Sequence, residues 1–138
     1  MSFPNPEAAE SAFYAAFKAL DSKAMSLVWI SSPDASCIHP GGPLLQGTDR
    51  VLESWLEIFR DSTPPTVKVR LIQASSDSHL AVHTVEESIS SGGGTRHAVV
   101  LATNIYVRRD GGWRMLAHHA SLPLVEKSIE PAEPPALH

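Results

Sequence analysis

The hydrophobic pattern of this chain changes its period once, at Pro64-Pro65, and no other feature constrains the fold as strongly. Upstream, apolar residues recur every three or four positions, as they do on helices that bury one face. Downstream, apolar and polar residues alternate, which is typical of strands in a half-buried sheet. Helices followed by consecutive strands favour an α+β domain with an antiparallel sheet over a parallel sheet with interleaved helices.

Three amphipathic helices are predicted. The first covers 6–20, with Asn5 as its N-cap, because a side-chain oxygen there can accept a hydrogen bond from the first turn. A short second helix covers about 22–29. The third covers 49–62, with Thr48 as its expected cap, and the following prolines end it.

Five extended segments are predicted, at 35–39, 67–71, 79–89, 97–109 and 113–122. Asp110-Gly111-Gly112 is typical of a tight hairpin turn, so the last two strands are expected to pair. Gly92-Gly93-Gly94 lacks the lysine and following helix of a phosphate-binding loop, and it is read as a flexible loop.

The longest predicted strand is apolar on both faces. One face carries Ala98, Val100, Ala102 and Tyr106, and the other carries Val99, Leu101, Ile105 and Val107. Helices can cover only one face of the sheet, so the other face meets water or a second subunit. An apolar second face predicts a homodimer formed through the sheet.

Length and composition fit one globular domain. The 138 residues are 43% hydrophobic and 19% charged, and we expect residues 1–125 to form the domain. Residues 126–138 are rich in proline and acidic side chains, and this tail is expected to be poorly ordered or packed on a partner.

Charge and hydropathy exclude several classes of partner. The net charge is −4, and lysine and arginine are scattered, so no nucleic-acid partner is expected. No apolar run is long enough to span a bilayer, so no membrane partner is expected either. The N-terminus lacks a basic segment and an apolar segment, which predicts no signal peptide and a cytoplasmic location.

Several motifs together resemble the SnoaL-like branch of the nuclear transport factor 2-like superfamily, over roughly residues 7 to 123. They are Cys37-Ile38-His39-Pro40-Gly41-Gly42, Leu45, Gly47, Ser54-Trp55, Thr103-Asn104-Ile105-Tyr106-Val107-Arg108, Asp110-Gly111-Gly112-Trp113 and His119-Ala120-Ser121. The resemblance implies a cone-shaped α+β barrel, in which three N-terminal helices pack on a curved, mainly antiparallel sheet. It also implies a homodimer and a pocket between sheet and helices. The superfamily includes isomerases, cyclases, dehydratases and association domains, so the resemblance implies no single activity.

His39 is the first candidate for chemistry. In the ketosteroid isomerases of the superfamily a catalytic aspartate directly precedes a proline, and His39 matches that position as a possible general base. The isomerase tyrosine matches Phe13, while Tyr14 points about 100° away around the helix. The acidic partner falls near Asn104 or Ile105, so isomerase activity is not expected. Alternatively, His39 bonds to nearby backbone and fixes the Pro-Gly-Gly bend.

His119 and Asn104 complete the catalytic candidates. Strand alternation groups His119 with Trp113 and Met115, and the family resemblance places an inward histidine at His119. Its alternative role is a core histidine bonded across the sheet. Asn104 can orient a ligand carbonyl or an oxyanion, or it can face the dimer side, in which case Thr103 becomes the inward ligand-binding group.

Aromatic residues on the helices are the candidate ligand-binding walls, or else simply core. They are Trp55, Phe13, Phe17, Trp29 and Phe59. Trp55 is the strongest pocket candidate, because the loop that carries His39 leads into its helix.

No cofactor and no metal are predicted, because no predicted helix carries histidines at His-x-x-x-His spacing and no His-Glu-x-x-His motif is present. His39 and His119 with Glu86 or Glu87 remain an open alternative. Cys37 has no evident activating partner and is read as an inert buried thiol.

The sequence therefore favours a homodimeric domain that binds a small apolar or carbonyl-containing molecule in an apolar pocket. The alternative is a pocket enzyme of the isomerase, cyclase or dehydratase type, in which His39 or His119 moves a proton while Asn104 or Thr103 holds the developing charge.

Overall fold

The element order agrees with the predicted class. A computed structural model describes residues 3–91 and 96–123, so the Gly92-Gly93-Gly94 loop and the tail 126–138 lie outside the described residues. The elements are α1 (Pro6–Ala19), α2 (Ser22–Val28), β1 (Ser36–Ile38), β2 (Leu45–Gln46), α3 (Thr48–Arg60), β3 (Thr66–Ser76), β4 (Leu80–Ser91), β5 (Arg96–Arg109) and β6 (Gly112–Ser121).

The six strands form one sheet in the order β2-β1-β6-β5-β4-β3. All neighbouring pairs are antiparallel except β1 with β6, which is parallel. The three helices pack on one face, here called the inner face, and the apolar stripes of the helices meet it in a single core. The predicted cone-shaped α+β fold, with helices on a mainly antiparallel sheet, is confirmed.

The starts of α1 and α3 differ in how they are capped. Asn5 caps α1 as predicted, since its Oδ1 accepts from the backbone N of Ala8 at 2.7 Å. The cap of α3 is instead Gly47, at φ 90°, and Thr48 is the first helical residue. The Thr48 hydroxyl donates to the carbonyl of Ile30 at 2.7 Å, so it ties α3 to the segment that follows α2.

A β-bulge in β6 reverses the predicted orientation of its two histidines. Ile105 on β5 faces Ala117, but the next residue, Tyr106, faces Met115, so Leu116 has no opposite partner. One unpaired residue shifts the alternation of side chains by one position. Met115 before the bulge and His118 after it are therefore both buried.

The expectation that His119 faces inward is consequently wrong. His119 is exposed on the outer face, and His118 is 2% exposed on the inner face. Burial and pairing also show which of two neighbouring residues on β5 faces inward. Asn104 is fully buried on the inner face, and Thr103 pairs with His119 on the outer face. Thr103 thus does not line the interior.

The outer face is partly apolar in the described residues. Val99 and Leu101 on β5 are exposed, and Ile105 is half-buried. No helix within residues 3–91 or 96–123 is long and apolar enough to cross a membrane.

Candidate functional site

Four buried side chains form a hydrogen-bonded chain beneath α1, here called the interior network. His118 Nδ1 lies 2.6 Å from Asn104 Oδ1, Asn104 Nδ2 donates to the Tyr14 hydroxyl oxygen at 3.0 Å, and the Tyr14 O–H donates to Glu87 Oε2 at 2.5 Å. An amide oxygen can only accept, so His118 carries its proton on Nδ1. Every donor points along the chain towards Glu87.

The elements that supply the interior network explain its burial. Glu87 follows Val85 on the inner face of β4, Asn104 lies on β5, and His118 lies opposite Asn104 on β6. Tyr14 comes from α1. Phe13 and Tyr14 are adjacent in sequence and both are buried, so the buried face of this helix is wide enough for two neighbouring side chains. Phe13 points to the aromatic residues beside it, and Tyr14 points to the polar chain.

Burial shifts the pKa values of the ionisable members in opposite directions. It raises the pKa of Glu87 to about 7, and the hydrogen bond from Tyr14 only partly opposes this. It lowers the pKa of His118 to about 3, with smaller contributions from the charges of His39 and His119. Burial also raises the pKa of Tyr14. At neutral pH His118 is therefore a neutral imidazole whose Nε2 carries a lone pair, and Glu87 lies near the midpoint of its titration.

Trp55 is the centre of an aromatic cluster that adjoins the interior network. Its ring centroid lies 4.7 Å from His39, 5.5 Å from Phe13 and 5.8 Å from His118. Phe17 and Phe59 complete the cluster at 5.3 and 5.7 Å. The indole N–H of Trp55 is buried and has no hydrogen-bond partner in the part of the chain that the structure describes.

His39 is held by α3. Its Nε2 lies 2.9 Å from Ser54 Oγ, and the Ser54 hydroxyl donates to the carbonyl of Val51 at 2.7 Å. Because the serine proton is used in that bond, His39 donates through Nε2, and its Nδ1 carries the lone pair. Burial lowers the pKa of His39. Its carbonyl accepts from the N of Gly42 at 2.7 Å, which closes the expected bend through the backbone rather than through the ring.

The structure brings together most, but not all, of the predicted site residues. His39, Trp55, Phe13, Phe17 and Phe59 share the aromatic cluster, and Asn104 reaches it through His118. Trp29 lies at the margin, with its ring 6.5 Å from Phe13, and its N–H is also buried without a partner among the described residues. Thr103 and His119 lie on the opposite face of the sheet.

Sequence reasoning missed the roles of Glu87, Tyr14 and His118 in this site. One signal was present: Glu87 shares its strand face with Val85 and Ala81, and a carboxylate in phase with core residues indicates a buried acid. From the sequence alone, Glu87 is a candidate only as a metal ligand. The bulge that turns His118 inward has no signature in the sequence of β6.

Metal ligation finds no support among the described residues. No group of three or more histidine, cysteine, aspartate or glutamate side chains there is arranged to hold a metal ion. Cys37 is buried, and burial raises its pKa to about 12, which keeps the thiol protonated.

Comparison with known proteins agrees with this architecture. The family model of the SnoaL-like domain matches residues 7–125. F-box protein SKIP8 of Arabidopsis thaliana is 28% identical over 104 residues, which are 75% of this chain and 43% of that protein. The chain thus corresponds to less than half of that relative's length.

Two solved structures are similar over nearly their whole length. A Thiobacillus denitrificans protein, assigned as a calcium/calmodulin-dependent protein kinase type II association domain, is 36% identical with a TM-score of 0.85, covering 90% of this chain and 99% of its own. A Streptomyces avermitilis protein, assigned as a dehydratase of the NTF2-like family, is 33% identical with a TM-score of 0.78, covering 85% and 92%. The chain therefore belongs to the SnoaL-like family, within the nuclear transport factor 2-like superfamily.

Proposed function

We propose that this domain binds a small, mainly apolar molecule that carries a carbonyl group, in the interior beside Trp55. The observation that carries the proposal is the Trp55 N–H, which is buried without a partner in the described part of the chain. Leaving such a donor unsatisfied costs about 1–3 kcal/mol. A ligand oxygen that accepts this hydrogen bond removes the cost.

The surroundings of Trp55 define the chemistry of the ligand. Phe13 and Phe17 offer apolar ring surfaces, and His39 and His118 are neutral at pH 7 because burial lowers both pKa values. Neutral groups and aromatic rings favour an uncharged ligand over an ion. The carbonyl oxygen would accept from Trp55, while His118 Nε2 remains available to accept from a ligand hydroxyl or amide.

Cyclohexanone is a suitable probe for this site. The NMR resonance of the Trp55 indole N–H should move downfield on titration with cyclohexanone and not with methylcyclohexane, which has no acceptor. Trp55→Phe should weaken cyclohexanone binding about tenfold, because one hydrogen bond and part of the aromatic surface are lost. Trp29→Phe is the matched control, since Trp29 has a similarly buried and unpartnered N–H outside the cluster. Equal weakening in both variants would contradict the proposed location.

We further propose that the domain is a homodimer joined through the outer face of the sheet. Exposed Leu101 and Val99 and half-buried Ile105 form an apolar strip on β5. Domains of this superfamily commonly dimerise, and the Thiobacillus denitrificans relative is assigned as an association domain.

Leu101→Glu should shift the sedimentation coefficient from that of a dimer to that of a monomer. Leu56→Glu, at a similarly exposed leucine on α3, should not. A wild-type monomer at micromolar concentration would exclude the dimer.

The alternative function is acid–base catalysis in the same interior, and it is supported by Glu87. A carboxyl whose pKa is about 7 can accept and return a proton at neutral pH. His39 remains a second candidate base, whereas His119 lies on the outer face of the sheet, away from this interior. The test is deuterium incorporation next to the carbonyl of cyclohexanone in D₂O. The wild type should accelerate it, Glu87→Gln should abolish the acceleration, and Glu86→Gln, on the outer face of the same strand, should retain it.

A further inference from the structure

A second polar cluster lies apart from Trp55, in an open groove between α1 and strands β3 and β4. The groove has a volume of about 570 Å³, within the usual range of small-molecule sites. Glu7 and Glu10 of α1 and His83 of β4 line one end, here called the acidic end. Val69 and Leu71 of β3 provide an apolar wall.

Glu10 fixes the orientation of His83. Glu10 Oε1 lies 3.0 Å from His83 Nδ1, accepts from the Tyr106 hydroxyl at 2.6 Å and lies 3.5 Å from Asn104 Nδ2. A carboxylate oxygen is an acceptor, so His83 Nδ1 carries a hydrogen and donates it. The Tyr106 ring, 5.2 Å away between centroids, holds the imidazole from the side.

The other nitrogen of His83 is unsatisfied. The side chain is 1% exposed, and Nε2 has no hydrogen-bond partner within the described ranges. In an imidazole whose single hydrogen is on Nδ1, Nε2 presents a lone pair. The Oε2 of Glu7 lies 3.9 Å from Nε2, which is too far for a hydrogen bond and would in any case set two acceptors against each other.

We propose that the acidic end binds the ammonium group of a small primary amine, which donates one N–H to His83 Nε2 and another to Glu7 Oε2. Hydrogen bonds of about 2.8–2.9 Å to both atoms are possible, because the two acceptors are only 3.9 Å apart. An ammonium has three donors and no acceptor, so it complements two facing acceptors.

The rest of the groove orients the amine. Lys18 and Lys68 line it along with the acidic residues, and Lys18 lies eleven residues after Glu7, about 16 Å along α1. Like charge repels an ammonium from Lys18, so the cation is directed to the acidic end and the alkyl group to Val69 and Leu71. This site has a different ligand chemistry from the Trp55 interior and does not depend on it.

The test uses n-butylammonium chloride, with n-butanol as the neutral analogue, at constant ionic strength. NMR titration should shift the ¹⁵N resonance of His83 Nε2 with n-butylammonium and leave it unchanged with n-butanol. Glu7→Gln should weaken n-butylammonium binding about tenfold, through the loss of one charge-assisted hydrogen bond. The Glu7 side chain is 69% exposed, so this variant should fold.

Glu57→Gln, an exposed carboxylate on α3, is the matched control and should leave the affinity unchanged. Lys18→Gln should leave it unchanged or strengthen it. Equal binding of n-butanol would overturn the proposal, because binding would then be apolar only. Unchanged affinity in Glu7→Gln, or an equal loss in Glu57→Gln, would also overturn it.

Discussion

The interior network and the acidic end of the groove combine the same kinds of side chain in different surroundings. In each, a tyrosine hydroxyl donates to a glutamate and a histidine lies in the same hydrogen-bonded group, and Asn104 contacts a glutamate or tyrosine of both. In the interior network Tyr14 and Asn104 separate the carboxyl of Glu87 from His118, and burial favours the neutral forms of both groups. At the acidic end the histidine touches a carboxylate directly and a second carboxylate faces solvent. The interior network is therefore suited to neutral ligands, because its carboxyl and histidine are buried and kept apart. The acidic end is suited to cations, because its histidine contacts one carboxylate directly and lies near a second.

The strongest test of this comparison is to remove the residue that joins the two regions. Asn104→Ala leaves the Nδ1–H of His118 without an acceptor and the Tyr14 oxygen without a donor. We expect the free energy of unfolding to fall by about 4 kcal/mol, measured by urea denaturation at neutral pH. Thr103→Val, on the other face of the same strand, should change it by less than about 0.5 kcal/mol. A loss below about 1 kcal/mol for Asn104→Ala would show that the two regions do not depend on this bridge.

Acid should destabilise the interior network through His118. Its pKa is lowered from 6.5 to about 3, so its contribution to stability is complete above pH 6.5 and is lost as the pH falls towards 3. Between pH 6.5 and about pH 4 the wild type should lose roughly 3 kcal/mol more stability than His118→Gln, which has no titrating group. Urea denaturation of both proteins across this range measures the difference. Parallel curves would contradict a neutral His118.

Glu87 should show the opposite pH dependence. Its pKa is raised from 4.5 to about 7, so the stability it contributes is complete below pH 4.5 and declines as the pH rises through 7. Between about pH 5 and pH 7, the free energy of unfolding of Glu87→Gln should therefore rise by roughly 2 kcal/mol relative to that of the wild type, as measured by urea denaturation. Glu86→Gln, half-exposed on the outer face, should show no such gain. A pH-independent difference would place the Glu87 carboxyl in contact with water.

The smallest expected effect belongs to His119. Because its side chain is exposed beyond the bulge, His119→Ala should change the free energy of unfolding by less than about 0.5 kcal/mol. It should also leave the Asn104 side-chain amide resonances unperturbed in NMR spectra. A loss above about 1 kcal/mol would contradict the observed alternation in β6.

The fold was largely predictable because its determinants are local. The N-cap at Asn5, the change of period at Pro64-Pro65 and the turn at Asp110-Gly111 each act within a few residues, and all appear in the structure. The position of Thr48 predicts a cap, but its hydroxyl donates to the carbonyl of Ile30, which is distant in sequence.

The site was less predictable because its contacts are long-range. Tyr14 and Glu87 are 73 residues apart, as are Glu10 and His83, and nothing near any of them encodes the pairing. Asn104 lies in a strand that is apolar on both faces, so alternation alone did not determine which side it faces. The aromatic cluster around Trp55 was predicted better, since helical spacing determines which side chains point inward.

The unpaired Leu116 determines on which face of the sheet the end of β6 places its side chains. Because the strand contains this one extra residue, every residue after it lies on the face opposite to the one that simple alternation would give. Deleting that position would exchange His118 and His119 between the interior and the outer surface without altering either residue. Relatives that differ by a single insertion here would present different chemistry from an identical pair of histidines, so alignments of this family should be read by face as well as by residue.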